Sequence, residues 1–319
     1  MLLAPLLVLS GFGFLIYSIY YVLQFFLSPI DILKAFVFFL LLNALPLLFK
    51  ALSSYLWSGF HGLGAVLQLW QLMVFIYAII YSFVAGALYI LVVNLKILNK
   101  NQKPYFALFL AVSALLATGL TLLYGNFKAK TIVTTNYQLT LNAEVEEEKE
   151  YKIAFISDIH LGYVHGKEQL KKMVAKVNQE KPDLILIGGD ILHYEYEPFE
   201  DEKLYLYWQG FNAPLGVYAV DGNHDAYCGQ AESLFAYLEE AGTIDARNKG
   251  FVIDDSFILV GRQDKGGMRN SKSLSRPSID ALLDGLPENL PVLVLDHQPT
   301  NLEETTSHPR VELLFSGHT

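Results

Sequence analysis

The sequence of 319 residues predicts an α/β soluble domain that follows a membrane region of about four helices. Three observations lead to this prediction. The composition changes sharply near residue 125, and beyond that point short apolar runs of strand length alternate with segments of helical periodicity. Polar motifs follow the predicted strands, where open α/β sheets place their binding sites.

The two parts of the chain differ in charge. Residues 1–124 hold five lysines and one aspartate, so the remainder holds 18 of the 23 basic residues and 31 of the 32 acidic ones. An acidic domain argues against a nucleic-acid partner, because phosphate backbones are held mainly by Lys and Arg. The single cysteine, Cys228, cannot form an intrachain disulfide and does not indicate a redox compartment.

Four apolar runs in residues 1–124 approach or exceed the roughly 20 residues that a membrane-spanning helix needs. They cover residues 2–27, 30–49, 63–93 and 105–124, and residues 125–130 are expected to form a linker. The first run is too long for a signal peptide and is interpreted as a retained anchor. Acidic and basic side chains are absent from mid-span, which argues against a transporter.

The soluble domain is predicted to span residues 131–319. Apolar and polar residues alternate over 137–141, as in a half-buried strand. Helical periodicity predicts one helix around 170–177 and another over 231–241, closed by Gly242. Six short apolar runs predict further strands: Ile153–Ile156, Leu184–Ile187, Val217–Val220, Phe257–Val260, Val292–Leu295 and Leu313–Phe315.

Metal-binding side chains follow five of these strands. Each motif is weak alone, but side chains beyond the carboxyl ends of strands are expected to meet in one cleft. The motifs are Asp158-Ile159-His160, Gly188-Gly189-Asp190, Gly222-Asn223-His224-Asp225, Asp296-His297-Gln298-Pro299 and Gly317-His318.

This ordered series resembles the calcineurin-like metallophosphoesterase superfamily. Leu295 to Pro299 and Gly261-Arg262-Gln263-Asp264 are more similar to its bacterial membrane-anchored members. The resemblance implies an αββα sandwich of two mixed sheets flanked by helices, with two metals at the sheet edge. We therefore expect a multi-pass protein of the bacterial cytoplasmic membrane. The positive-inside count is almost balanced and leaves the orientation open, with a slight preference for an extracytoplasmic soluble domain.

The resemblance also implies the roles of single residues. Asp158 and His160 would bind the first metal, and Asp190 would bridge both. The second metal would be completed by three side chains: Asn223, His297 and His318. Mixed oxygen and nitrogen ligands suit manganese, iron or zinc better than calcium.

By the same resemblance, a hydroxide bridging two divalent ions would attack phosphorus in line with the leaving group. His224 would then protonate the leaving oxygen, and Asp225 would orient the His224 ring. His165 and His193 are weaker candidates for substrate contact, because loop histidines near a cleft are more often merely solvated. Tyr194, Tyr196 and Trp208 fall in an acidic, aromatic segment that either covers the cleft or packs on itself.

The family pattern ends in Gly-His-Xaa-His, whose second histidine would bind the first metal. This sequence stops at Thr319. We therefore expect a C-terminally truncated domain whose first metal position lacks one ligand, which would weaken binding of the first metal and could abolish hydrolysis.

The sequence thus predicts a membrane-anchored, metal-dependent phosphoesterase. Phosphomonoesters, phosphodiesters and pyrophosphates are all candidate substrates, either as small molecules or linked to a lipid of the bilayer. The alternative is a non-catalytic membrane sensor or scaffold that keeps the fold and uses the metal site for binding.

Overall fold

The computed structural model describes residues 58–141, 149–265, 276–298 and 302–318. The chain divides into two compact units, Met1–Thr131 and Ile132–Thr319. The predicted helices over 2–27 and 30–49 lie outside the described residues, and the helices predicted over 63–93 and 105–124 are both present.

The described part of the first unit is a pair of helices, α1 (Ser58–Asn94) and α2 (Lys103–Ala129). Both are long and apolar enough to cross a membrane. Tyr81 on α1 and Thr121 on α2 join the pair through a 2.7 Å hydrogen bond between their hydroxyls.

The predicted linker over 125–130 is wrong, because α2 continues to Ala129. Gly125 lowers helix propensity by only about 1 kcal/mol relative to alanine, and no proline follows to stop the helix. The predicted strand over 137–141 is also wrong. These residues are irregular, and Tyr137 and Leu139 are exposed. Alternation alone does not make a strand where no neighbouring strand completes its hydrogen bonds.

The second unit begins with a parallel sheet in the order β1-β2-β3-β4. Helices connect these strands, as parallel pairing requires. In chain order the elements are β1 (Ile153–Ile156), α3 (Lys167–Gln179), β2 (Leu184–Gly188), α4 (Glu197–Asp201), α5 (Tyr205–Trp208), β3 (Val217–Val220), α6 (Asn223–Tyr227), α7 (Ala231–Glu240) and β4 (Thr243–Asp245).

A second sheet follows in the order β5-β6-β7-β8. The β5–β6 pair is antiparallel and the other two pairs are parallel, so this sheet is mixed. Its elements are β5 (Lys249–Ile253), β6 (Phe257–Arg262), α8 (Ile279–Leu283), β7 (Val292–Asp296), α9 (Leu302–Ser307) and β8 (Val311–Phe315).

The two sheets pack face to face between outer layers of helices. Side chains of β2 alternate accordingly. Leu184 and Leu186 join the core shared with Leu293 and Leu295 of the second sheet, whereas Ile185 and Ile187 face the helical core that contains Leu170 and Leu234. On the other side, α8 packs against the outer face of the second sheet. The fold is therefore the expected αββα sandwich.

All six strands predicted from short apolar runs form, and both predicted helices correspond to α3 and α7. Trp208 does not cover a cleft. It is buried in the helical core, where its indole Nε1 donates a 2.8 Å hydrogen bond to Thr243 Oγ1. The part of the aromatic segment that contains Trp208 therefore packs on the helical core.

Candidate metal centre

The loops that carry the predicted ligands share an uncommon backbone conformation. Asp158, His160, Asp190 and His318 all have φ between 50° and 55°, in the left-handed region that non-glycine residues rarely adopt. Such positions cost free energy and persist where the surrounding structure determines them. The sharp turns bring the loops after β1, β2 and β8 together at one edge of the sandwich.

Asp190 lies at the centre of this cluster and is buried. Its Oδ2 is 3.6 Å from Nε2 of His160, and its Oδ1 is 3.3 Å from Nε2 of His297. The carboxylate therefore presents one oxygen to each of two ligand groups, Asp158–His160–Asp190 and Asp190–His297–His318. This is the arrangement that a bridging carboxylate between two cations requires.

The second group is fixed by hydrogen bonds from β2 and the loop after β7. The Nδ1 atom of His297 lies 2.7 Å from the carbonyl oxygen of Gly188, and its Nε2 lies 3.2 Å from Oδ1 of Asn223. Gln298 donates a 2.8 Å hydrogen bond to the same Asn223 oxygen. A metal-binding histidine is commonly oriented in this way by a carbonyl at its other nitrogen.

His318 closes the cluster from the loop after β8. Its backbone N–H donates to the Asp158 carboxylate at 3.2 and 3.3 Å, and its ring centroid is 5.4 Å from that of His297. A Cβ on Gly317 would stand 2.6 Å from Oδ2 of Asp158. The glycine before His318 is therefore needed for this close approach.

The pKa values of His297 and Asp190 show that this cluster stabilises positive charge. Burial alone would lower the pKa of His297, but the hydrogen bond to Asp190 and its charge outweigh burial and raise that pKa to about 9. Burial raises the pKa of Asp190, yet hydrogen bonds from His297 and the His224 amide hold it below its usual value. Since metal ions displace protons from such ligands, this donor set fits a divalent cation.

His160 supports the same conclusion for the first group. Burial is the main cause that lowers the pKa of its imidazole, which favours the neutral, metal-binding form. Its Nδ1 is buried without a hydrogen-bond partner among the described residues. Buried polar atoms are normally satisfied by protein, water or an ion. The side chains present therefore fit two neighbouring cation positions that share Asp190.

Asp225 does not orient the ring of His224, and that prediction is wrong. Its fully buried carboxylate accepts three backbone hydrogen bonds, from Ile191 at 3.2 Å, Leu192 at 2.7 Å and Gly222 at 2.9 Å. Burial raises its pKa to about 6, although those hydrogen bonds favour the ionised form. Asp225 thus joins the loop after β2 to the loop after β3.

The carbonyl oxygen of His193 takes the place expected of Asp225. It lies 2.5 Å from Nδ1 of His224, so Nε2 of His224 faces away from this contact. The half-exposed Tyr194 ring lies 4.3 Å from the His224 ring, centroid to centroid. The backbone amide of His224 also donates to Asp190 at 2.8 Å. His224 is therefore held beside the cluster by both loops.

The two weaker candidates are placed differently. The His193 ring lies 5.4 Å from the rings of both His160 and His224 and belongs to the cluster edge. His165 is near enough to His193 to oppose its protonation electrostatically. It is absent from the potential metal-binding groups of the described residues.

Sequence analysis missed a buried ion pair at the end of β7, next to His297. Asp296, at the end of β7, lies 2.5 Å from a terminal nitrogen of Arg276, and both side chains are almost fully buried. Burial raises the pKa of Asp296, and the charge of Arg276 opposes that rise. The pair anchors the strand end that carries His297. Gln298 was missed as well, because a short motif does not reveal a contact with a residue 75 positions away.

Comparison with known proteins agrees with this site. The calcineurin-like phosphoesterase family model matches residues 151–319, more than half of the chain. An uncharacterized metallophosphoesterase of Helicobacter pylori is 28% identical over 54% of this chain and 45% of its own length. The metallophosphoesterase YkuE of Bacillus subtilis is 30% identical over 53% of this chain and 58% of its own length.

A transmembrane protein with metallophosphoesterase domain from Danio rerio is 27% identical over 65% of this chain and 49% of its own length. The chain thus spans about half the length of these relatives.

Proposed function

The chain belongs to the calcineurin-like phosphoesterase family, and from this and the site geometry we propose that it is a membrane-anchored, metal-dependent phosphoesterase. The observation that carries the proposal is the buried Asp190 carboxylate, with one oxygen toward His160 and the other toward His297. A carboxylate that bridges two cations is the core of a two-metal hydrolytic centre.

In this proposal Asp158, His160 and Asp190 would hold the first ion. Asp190 would be shared with a second ion, whose remaining ligands would be three: Asn223, His297 and His318. The bound ions, of manganese, iron or zinc, supply the positive charge that activates water and neutralises the phosphate oxygens. Asp225 maintains the spacing of the two loops through its three backbone hydrogen bonds.

His224 is proposed to protonate the leaving oxygen. The carbonyl of His193 accepts a hydrogen bond from Nδ1, which leaves Nε2 as the atom available to the substrate. A protonated imidazole at this position can act as a general acid. Tyr194 covers one face of the ring and limits its rotation.

We expect the substrate to be a phosphodiester or pyrophosphate, with a lipid-linked ester as the favoured class. The support is that one chain carries both this centre and two helices long enough to cross a membrane. The Danio rerio relative is also described as a transmembrane protein. Family membership alone does not select a substrate.

Metal removal and return test the proposed function. The 319-residue chain, purified in detergent and stripped with a chelator, is expected to lose hydrolysis of an aryl phosphodiester and to regain it with Mn²⁺. The ions supply several kcal/mol of transition-state stabilisation, so the stripped protein should be slower by about 1000-fold. Initial rates and metal content by mass spectrometry are measured on the same samples.

The alternative of a non-catalytic sensor predicts a different outcome. A sensor would bind about the same amount of metal without turnover of aryl phosphodiesters, aryl phosphates or lipid pyrophosphates. Metal uptake with no hydrolysis in any of these assays would contradict the proposed activity.

The role of His224 predicts a dependence on the leaving group. Replacing His224 with Gln should slow an alkyl phosphodiester by about 100- to 1000-fold. Hydrolysis of a p-nitrophenyl ester should slow by roughly tenfold or less, because its leaving group departs without protonation. Rates for both esters are compared with Tyr194→Phe, which keeps the ring beside His224. Equal losses for the two esters would exclude a proton donor at this position.

A further inference from the structure

Three histidines converge beside the proposed centre and form a group of their own. His160, His193 and His224 each offer a ring nitrogen within 4.8 Å of the other two. The ring of His160 lies 4.6 Å from that of His224 and 5.4 Å from that of His193, centroid to centroid. Only His160 of the three belongs to the ligand groups around Asp190.

We propose that this histidine triad binds a zinc ion at a third position, and that occupation of this position inhibits the enzyme. Zinc binding needs only the three side chains. The inhibitory consequence rests on the proposed phosphoesterase function.

The geometry is close to that of a three-histidine zinc site. Zinc lies about 2.0–2.1 Å from imidazole nitrogen, so tetrahedral ligands are about 3.3 Å apart. The triad nitrogens therefore need to approach one another by about 1.5 Å at most. His193 is only partly buried and has room for this adjustment. An open fourth position would remain for water or substrate.

Orientation of His224 supports the assignment independently of the distances. Its Nδ1 is engaged by the His193 carbonyl oxygen at 2.5 Å, which leaves Nε2 as the ligand atom. Metal-binding histidines commonly have a carbonyl or carboxylate at their other ring nitrogen. The fold therefore already supplies the outer contact that such a ligand requires.

The donor set predicts which metal is selected. Three imidazoles without a carboxylate favour zinc, copper or nickel, whereas manganese and magnesium prefer sites rich in oxygen. The Asp190 groups contain carboxylates and can accept manganese. The two kinds of site should thus respond differently to the two metals.

Occupation of the triad would remove two groups from catalysis. His160 is shared with the first ligand group, and His224 is the proposed general acid. An ion held by both would withdraw a ligand from the first metal and occupy the nitrogen that protonates the leaving group. Excess zinc should therefore inhibit an enzyme that manganese has activated.

Zinc binding is tested without reference to activity. Asp158→Asn combined with Asp190→Asn removes two carboxylates of the centre and keeps the triad. Titration calorimetry of this detergent-purified chain with Zn²⁺ should show one tight site, and Co²⁺ should give tetrahedral visible absorption. Adding His193→Ala should weaken binding by at least about tenfold, as loss of even an outer contact does. His165→Ala is the matched histidine control and should leave binding unchanged.

Two results would contradict a zinc site at the triad. One is that tight zinc binding persists after His193→Ala. The other is that the variant with Asp158→Asn and Asp190→Asn binds no zinc tightly although its circular dichroism spectrum is unchanged. A separate arm measures zinc inhibition of the manganese-activated chain, with each variant normalised to its own zinc-free rate. His193→Ala should raise the zinc concentration for half-inhibition about tenfold. If zinc binds in the calorimeter but does not inhibit, the zinc site stands and its regulatory role is rejected. If the chain shows no turnover at any zinc concentration, only the proposed phosphoesterase function is rejected.

Discussion

Replacing Asp190 with Asn is expected to abolish metal-dependent hydrolysis while leaving the fold intact. Asparagine has nearly the shape of aspartate and also tolerates the left-handed φ of 51° at this position. It lacks the negative charge that faces both His160 and His297. Loss of about 4 kcal/mol of transition-state stabilisation corresponds to a rate decrease of about 1000-fold.

The expected loss includes both metals because the carboxylate belongs to both ligand groups. Mass spectrometry of the purified variant loaded with Mn²⁺ should therefore show less than one tightly held manganese ion per chain, because the histidine triad disfavours manganese. Initial rates are measured with an aryl phosphodiester at saturating Mn²⁺. If Asp190→Asn kept two ions and the rate of the unaltered chain, the shared carboxylate could not be the centre of the site.

Asp255→Asn provides a matched control. Asp255 has the same φ of 51°, is exposed, and lies in the turn between β5 and β6. That turn precedes β6, whereas the metal centre follows the carboxyl ends of the parallel strands. The identical substitution at this opposite edge should leave metal content and rate unchanged, which separates the chemistry of Asp190 from a general effect of losing one acidic charge.

Prediction from sequence succeeded where a single local signal was enough. The six strands are uniform apolar runs, and each predicted ligand lies within four residues of the end of a strand. The short β4 and β5 were missed because Thr243–Asp245 and Lys249–Ile253 mix polar, charged and apolar residues. Their pairing is determined by β3 and β6, so no local pattern reveals it.

The supporting contacts of the centre could not be predicted for a related reason. Asp225 is adjacent to His224 in sequence, which suggested an interaction between the side chains. The start of α6 at Asn223 instead turns the Asp225 carboxylate back toward the Gly222 amide and the loop after β2. The sequence motif identified the residues that belong to the site. The contacts that each side chain makes depend on where the loops meet, which the motif does not show.

The glycine in this motif shows the same dependence on packing. A Cβ at Gly222 would overlap Oδ1 of Asp190. The loop after β3 can therefore approach the loop after β2 closely only with glycine at this position. Asp225 then spans the narrow gap, and its replacement has the second large effect.

Replacing Asp225 with Ala is expected to destabilise the protein and weaken metal binding together. The change leaves three buried amides, of Ile191, Leu192 and Gly222, without their acceptor. Each unsatisfied buried group costs about 1–3 kcal/mol, so the free energy of unfolding should fall by about 3–5 kcal/mol after relaxation. The melting temperature, followed by near-ultraviolet circular dichroism, should fall by about 10 °C.

Two further variants identify the origin of this effect. Asp284→Ala makes the same substitution at an exposed site and should leave the melting temperature unchanged. Asp225→Asn keeps one acceptor oxygen and should fall between Ala and the unaltered chain in both stability and metal affinity. If Asp225 acted on the His224 ring instead, Asn would preserve stability and metal content and alter the leaving-group dependence. The observed contacts predict the opposite, because the carboxylate holds the backbone of the loops that carry Asp190 and Asn223 and leaves the orientation of His224 to the carbonyl of His193.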